Sequence, residues 1–104
     1  MEDRPGLKLQ YDQSQAVVLN LVREVVPRAT AFRTGPYKYG RGRWYVWIVT
    51  PTDEEKDRLK QDALLQTRLW TITSSDEFPP CGFEFESQET IDRDYGGDWL
   101  PRVK

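Results

Sequence analysis

Apolar and polar positions along the chain follow two different periods. Leu7, Leu9 and Tyr11 alternate with Lys8 and Gln10, the period of a half-buried strand. From Gln15 to Val26 the apolar residues Val18, Leu19, Leu21, Val22, Val25 and Val26 recur at helical spacing, and Pro27 ends the run. Five β-branched valines lower its intrinsic propensity, so packing has to hold this helix. Arg28 to Thr34 reads as a short strand, and Gly35-Pro36 with Gly40-Arg41-Gly42 punctuates a loop after it. Trp44 to Thr50 is apolar on both faces, as a covered central strand is. Pro51-Thr52-Asp53-Glu54-Glu55 starts a second helix that reaches Leu65. Thr52 and Glu55 stand at capping-box spacing, and Leu59 and Ala63 form a narrow apolar stripe. Arg68 to Ser74 alternates again and predicts a strand, and so does Gly82 to Glu86, with Phe83 and Phe85 on one face.

The predicted order is β-α-β-β-α-β plus one added strand and a docked tail. The fold expected is therefore α+β, a ferredoxin-like sandwich with two helices on one face of an antiparallel sheet. At 104 residues the chain makes a single domain over 1–104, with a core at 7–86 and an acidic C-terminal tail at 87–104. Ile91, Tyr95, Trp99 and Leu100 would be poorly placed on a loose tail, so the tail is expected to fold back.

Composition then excludes several chemistries. One Cys and no His forbid an internal disulfide, make a structural zinc site untenable and remove the usual general base. No apolar run approaches the roughly 20 residues of a membrane helix. The charged start Met1-Glu2-Asp3-Arg4-Pro5 does not resemble a signal peptide, so a cytoplasmic location is expected. Asp92, Asp94 and Gly97 fit part of a calcium loop, but Gly96 and Val103 stand where oxygen ligands belong. Cys81 lies among acids, with no His in the chain to activate it, and reads as a small structural residue. Glu84 and Glu86 share a strand face about 7 Å apart. That spacing suits a two-carboxylate hydrolase and equally suits two solvated strand acids. No cofactor, metal or catalytic residue is assigned.

A net charge of -2 hides an asymmetry. Residues 23–43 carry six bases against Glu24, a balance of +5, and residues 76–98 carry eight acids against Arg93, a balance of -7. Either these surfaces neutralise each other, within one molecule or between two, or the basic segment faces an anionic partner. The richest stretch interleaves bases with rings on a Gly-rich loop: Arg33, Tyr37, Lys38, Tyr39, Arg41, Arg43, Trp44 and Tyr45. Such a set suits stacking on bases and neutralising phosphate. Tyr, Trp and Arg also dominate protein-interface hot spots. The run Arg41–Val46 meets the pattern of an RNA-reading strand at Arg41, Gly42, Tyr45 and Val46, and departs from it at Arg43 and Trp44. It assigns no family.

Four Trp are more than a two-helix domain buries easily. The reading is therefore a small non-enzymatic protein-interaction or regulatory module, with a protein partner or a second copy of itself. It would use the aromatic-basic loop and the Trp44/Trp47 strand. The alternative is RNA or single-stranded DNA binding through the loop 33–45.

Overall fold

The computed structural model describes residues 5–35 and 43–103, with side chains from residue 9 onward in the first segment. Five helices and three strands follow in the order α1 (Pro5–Val22), β1 (Thr30–Thr34), β2 (Tyr45–Thr50), α2 (Asp53–Gln61), α3 (Ala63–Thr73), β3 (Gly82–Ser87), α4 (Gln88–Tyr95) and α5 (Leu100–Val103). The sheet order is β1-β2-β3. β1 runs antiparallel to β2, with Phe32 opposite Trp47. β3 runs parallel to β2, with Phe85 opposite Ile48. A parallel neighbour needs a crossover, and the α2–α3 pair supplies it.

The class is α+β, but the ferredoxin-like layout is not what the described residues form. Their sheet has three strands of mixed direction instead of four antiparallel ones. Two predicted strands are helical. Residues 7–11 open α1, whose buried face runs through Tyr11, Ser14, Val18, Leu21 and Val22. Residues 68–74 lie almost wholly in α3, where Leu65, Leu69 and Thr73 are buried one turn apart. Both segments are short alternating runs whose residues also satisfy a spacing of four, and packing decides between the periods. The α3 threonines are accommodated because their hydroxyls donate back to carbonyls four residues earlier, Thr71 to Thr67 at 2.9 Å and Thr73 to Leu69 at 2.9 Å.

The predicted helix from Thr52 to Leu65 is two helices. Asp62 ends α2 and caps α3, its carboxylate accepting from the Leu65 amide at 2.9 Å. At the start of α2 the Glu55 amide donates to Thr52 Oγ1 at 3.3 Å, and the Thr52 hydroxyl donates to the Glu55 carboxylate at 2.8 Å. Gly96, at φ 60°, ends α4, and the Gly97 amide donates back to the Ile91 carbonyl at 2.9 Å.

The core lies between the helices and one face of the sheet. Val46 and Ile48 of β2 and Phe85 of β3 meet Val18, Val22 and Val26, together with Leu59, Leu65 and Leu69. The opposite face carries Phe32 and Trp47, and the chain after α4 returns across it through Trp99 and Arg102. Among the described residues no helix is long and apolar enough to cross a membrane.

Candidate functional site

The stretch singled out from the sequence does not make one surface among its described members. Trp44 faces the helices and is 1% exposed. Its ring packs on Tyr11 with centroids 5.0 Å apart, and its indole N–H donates to the Phe78 carbonyl at 3.0 Å. Tyr45, the next residue, projects from the other face and is half-buried beside Gly82. Arg33 is bound to the Asp12 carboxylate, and its guanidinium lies 5.5 Å from the centre of the Tyr11 ring. Arg43 is exposed. Tyr37, Lys38, Tyr39 and Arg41 lie outside the described residues. Trp47 is 5% exposed, so neither Trp44 nor Trp47 presents an open face.

Among the described residues the two oppositely charged segments do not pair with each other. No ion pair among the described residues joins a base of 23–43 to an acid of 76–98. Arg28 pairs with Glu55 at 2.6 Å and Arg33 with Asp12.

The densest polar cluster sits where β2 and β3 deliver their carboxyl ends to α2 and α4. Ligands of open α/β sheets often bind at such a point. Here the chain's own side chains occupy it. Asp53 accepts from the Ser87 hydroxyl, from Thr90 Oγ1 at 2.5 Å and from Arg93 Nη1 at 2.9 Å. The Ser87 and Thr90 hydroxyls, then Arg93, hold the Asp53 carboxyl well below the usual carboxylate range. Arg93 is pushed up in turn, by Asp94 first and then Asp53. Glu86 is buried and accepts from Lys56 Nζ at 3.1 Å and Arg102 Nε at 2.7 Å. Burial works to raise its pKa, but hydrogen bonds from Arg102, the Ser87 amide and Lys56 outweigh it, and the net shift is downward. Glu84 is exposed, so the two strand acids have unlike environments. Each charged group of this cluster is satisfied by another, which fits a structural knot joining α2, β3, α4 and α5. Among the described residues no group of three or more His, Cys, Asp and Glu side chains could hold a metal ion.

Two hollows remain. On the second sheet face, Phe32 stacks on Trp47 with centroids 5.7 Å apart, and Trp99 stands edge-on to both. A shallow apolar hollow of about 350 Å³ opens beside them, between Thr30, Phe32, Val49, Gln88 and Trp99.

The other hollow, about 380 Å³, lies between α1 and the end of α3. Val17, Ile72 and Phe78 give it apolar walls, and Gln10, Asp76 and Glu77 line it with polar groups. Helical spacing builds it: Gln13 and Val17 are one turn apart on α1, and Ile72 is the outward neighbour of buried Thr73 on α3. Asp76 accepts from the Ser14 hydroxyl, and Glu77 accepts from Gln10 Nε2 at 3.2 Å. Gln10 Oε1 is buried with no partner. A further hollow of about 300 Å³, lined by Leu21, Arg68, Thr71 and Ile72, adjoins it at Ile72. Sequence reading missed this groove because strands at 7–11 and 68–74 leave no pair of helices to form it. Read at a period of four, Leu9, Gln13 and Val17 with Leu64, Arg68 and Ile72 are the signal that would have found it. Compared with protein-family models, with curated proteins and with solved structures, the chain matches none.

Proposed function

We propose that the protein is a non-enzymatic interaction module that engages another protein through the groove between α1 and α3. One observation carries this reading: Val17, Ile72 and Phe78 converge on a hollow while remaining 41%, 39% and 39% exposed. Leu9 on α1 and Leu64 on α3 add exposed apolar surface on the same two helices. Apolar side chains clustered about a concavity with a polar rim are the usual make-up of a docking surface. The surface differs from the one expected at β2, because Trp44 and Trp47 are spent on the core and the aromatic cluster.

Selection from a random peptide library tests it. Peptides captured by the wild-type protein are expected to lose binding to Val17→Asp/Ile72→Asp and to keep it on Arg43→Ala/Tyr45→Ala. Both sets of changes fall on side chains outside the buried core, so the fold is expected to tolerate them. The opposite pattern would refute the groove reading. Binding of a single-stranded RNA pool that weakens with salt and requires Arg43 and Tyr45 would favour the nucleic-acid alternative.

A further inference from the structure

We infer that the occupant of the α1–α3 groove is a basic amphipathic segment of a partner protein, with an apolar side chain seated between Val17, Ile72 and Phe78 and a Lys or Arg at Asp76 and Glu77. The inference rests on the groove being the interaction surface. It adds the chemistry of what fills it.

Two features of the groove point to a cation beside an apolar anchor. Its walls are apolar at Val17, Ile72 and Phe78, yet two carboxylates line the same hollow. Asp76 and Glu77 are engaged by the neutral donors Ser14 and Gln10, and among the described residues no Lys or Arg pairs with either. Lys and Arg meet both demands at once, because they lay an aliphatic stem on apolar surface and keep a charged, donor-only head at its edge. The neighbouring hollow at Leu21 and Ile72 lies one α1 turn beyond Val17, which gives room for a second apolar anchor one turn further along a helical partner. A nucleic acid is the wrong occupant, since its phosphates would face Asp76 and Glu77.

The test uses three synthetic helical peptides with one apolar stripe and Lys, Glu or Gln on the flanks, read by fluorescence anisotropy on the full chain at low and high salt. The Lys peptide is expected to bind about tenfold more tightly than the Glu peptide, as two newly formed rim charge pairs allow. That preference is expected to shrink with salt and in Asp76→Asn/Glu77→Gln, while the Gln peptide is unaffected by these changes. Ile72→Asp is expected to abolish all three interactions. Thermal melts followed by circular dichroism check that each variant is folded, and Glu77→Gln alone, which leaves the Ser14–Asp76 bond in place, serves if the double variant is not. Equal binding of the Lys and Glu peptides, lost in Ile72→Asp, overturns the basic partner and leaves the groove reading standing. Binding indifferent to Ile72→Asp overturns both. If no peptide binds, the inference fails. Light scattering then separates a dimer dissolved by Ile72→Asp, which makes a second copy the occupant, from a monomer, which removes the groove reading too.

Discussion

Leu69 and Thr71 stand two residues apart, and their fates separate the two periods that the segment 68–74 satisfies. On a strand they would share a face. In α3 Leu69 is fully buried and Thr71 is exposed. Leu69→Ala is therefore expected to cost about 2–5 kcal/mol of stability, and Thr71→Ala to stay within about 0.5 kcal/mol. Urea denaturation measures both, and comparable losses would speak for a strand. The same scale explains what could be read of the candidate site. The residue types of 33–45 are plain in the sequence, but the direction of each side chain is not. Trp44 turns into the core and Tyr45 away from it, so a stretch that reads as continuous chemistry is divided by the pleat. Gln10 and Phe78 could not be read as parts of a site because in the groove each meets a neighbour more than sixty residues away: Gln10 meets Glu77, and Phe78 faces Val17.

Elements with chemical stop and start signals were legible, whereas of the three short alternating runs only Gly82–Glu86 is a strand, and 7–11 and 68–74 are helical. Thr52 with Glu55 marks the start of α2, Gly96-Gly97 turns the chain after α4, and the double-sided apolar run at 44–50 marks the central strand. The helical nature of 7–11 depends on Tyr11 reaching Trp44, a contact no local window contains. Glycines test the turns at this scale. Gly35 and Gly96 both have positive φ, at 84° and 60°, but a Cβ on Gly35 would stand 2.4 Å from the Arg43 carbonyl oxygen, while one on Gly96 would meet nothing within 4 Å. Gly96→Ala is expected to cost about 1–2 kcal/mol from backbone conformation alone, and Gly35→Ala clearly more, because the β1–β2 connection must shift as well. Chemical denaturation of the two variants measures this, and equal losses would show that the close approach at Gly35 carries no weight.

Across the whole molecule, stability is tied to acid through carboxyls that knit distant elements together. Asp53 is held low by Ser87, Thr90 and Arg93, Glu55 by Arg28 and Thr52, and Glu86 by bonds that overcome its burial. Each binds its proton less tightly folded than unfolded, so protons favour the unfolded chain. This stability is expected to be complete above about pH 5, where the unfolded chain's carboxyls are also ionised, and to drain away as pH falls through and below about 4. The urea midpoint between pH 6 and pH 2 should follow that course, with a shallower acid slope in Asp53→Asn. An unchanged slope in that variant would show that Asp53 is not among the groups responsible. The path of the chain through the sheet also bears on how the molecule is reached and left. β1 and β2 are sequence neighbours that pair antiparallel, whereas β3 joins β2 only after residues 51–81 have been gathered into α2, α3 and the loop that follows. Non-local pairing waits for the loop-closure entropy to be met, so the β1–β2 hairpin with α1 is the natural nucleus and β3 arrives later. Trp99 and Arg102 can settle on Phe32, Trp47 and Glu86 only once β3 has brought Glu86 alongside β2. Interactions formed after the rate-limiting step govern escape and leave arrival untouched. Removing the Trp99 contacts, as in Trp99→Ala, is therefore expected mainly to speed unfolding, and Val46→Ala mainly to slow folding, and stopped-flow kinetics of the two variants check this.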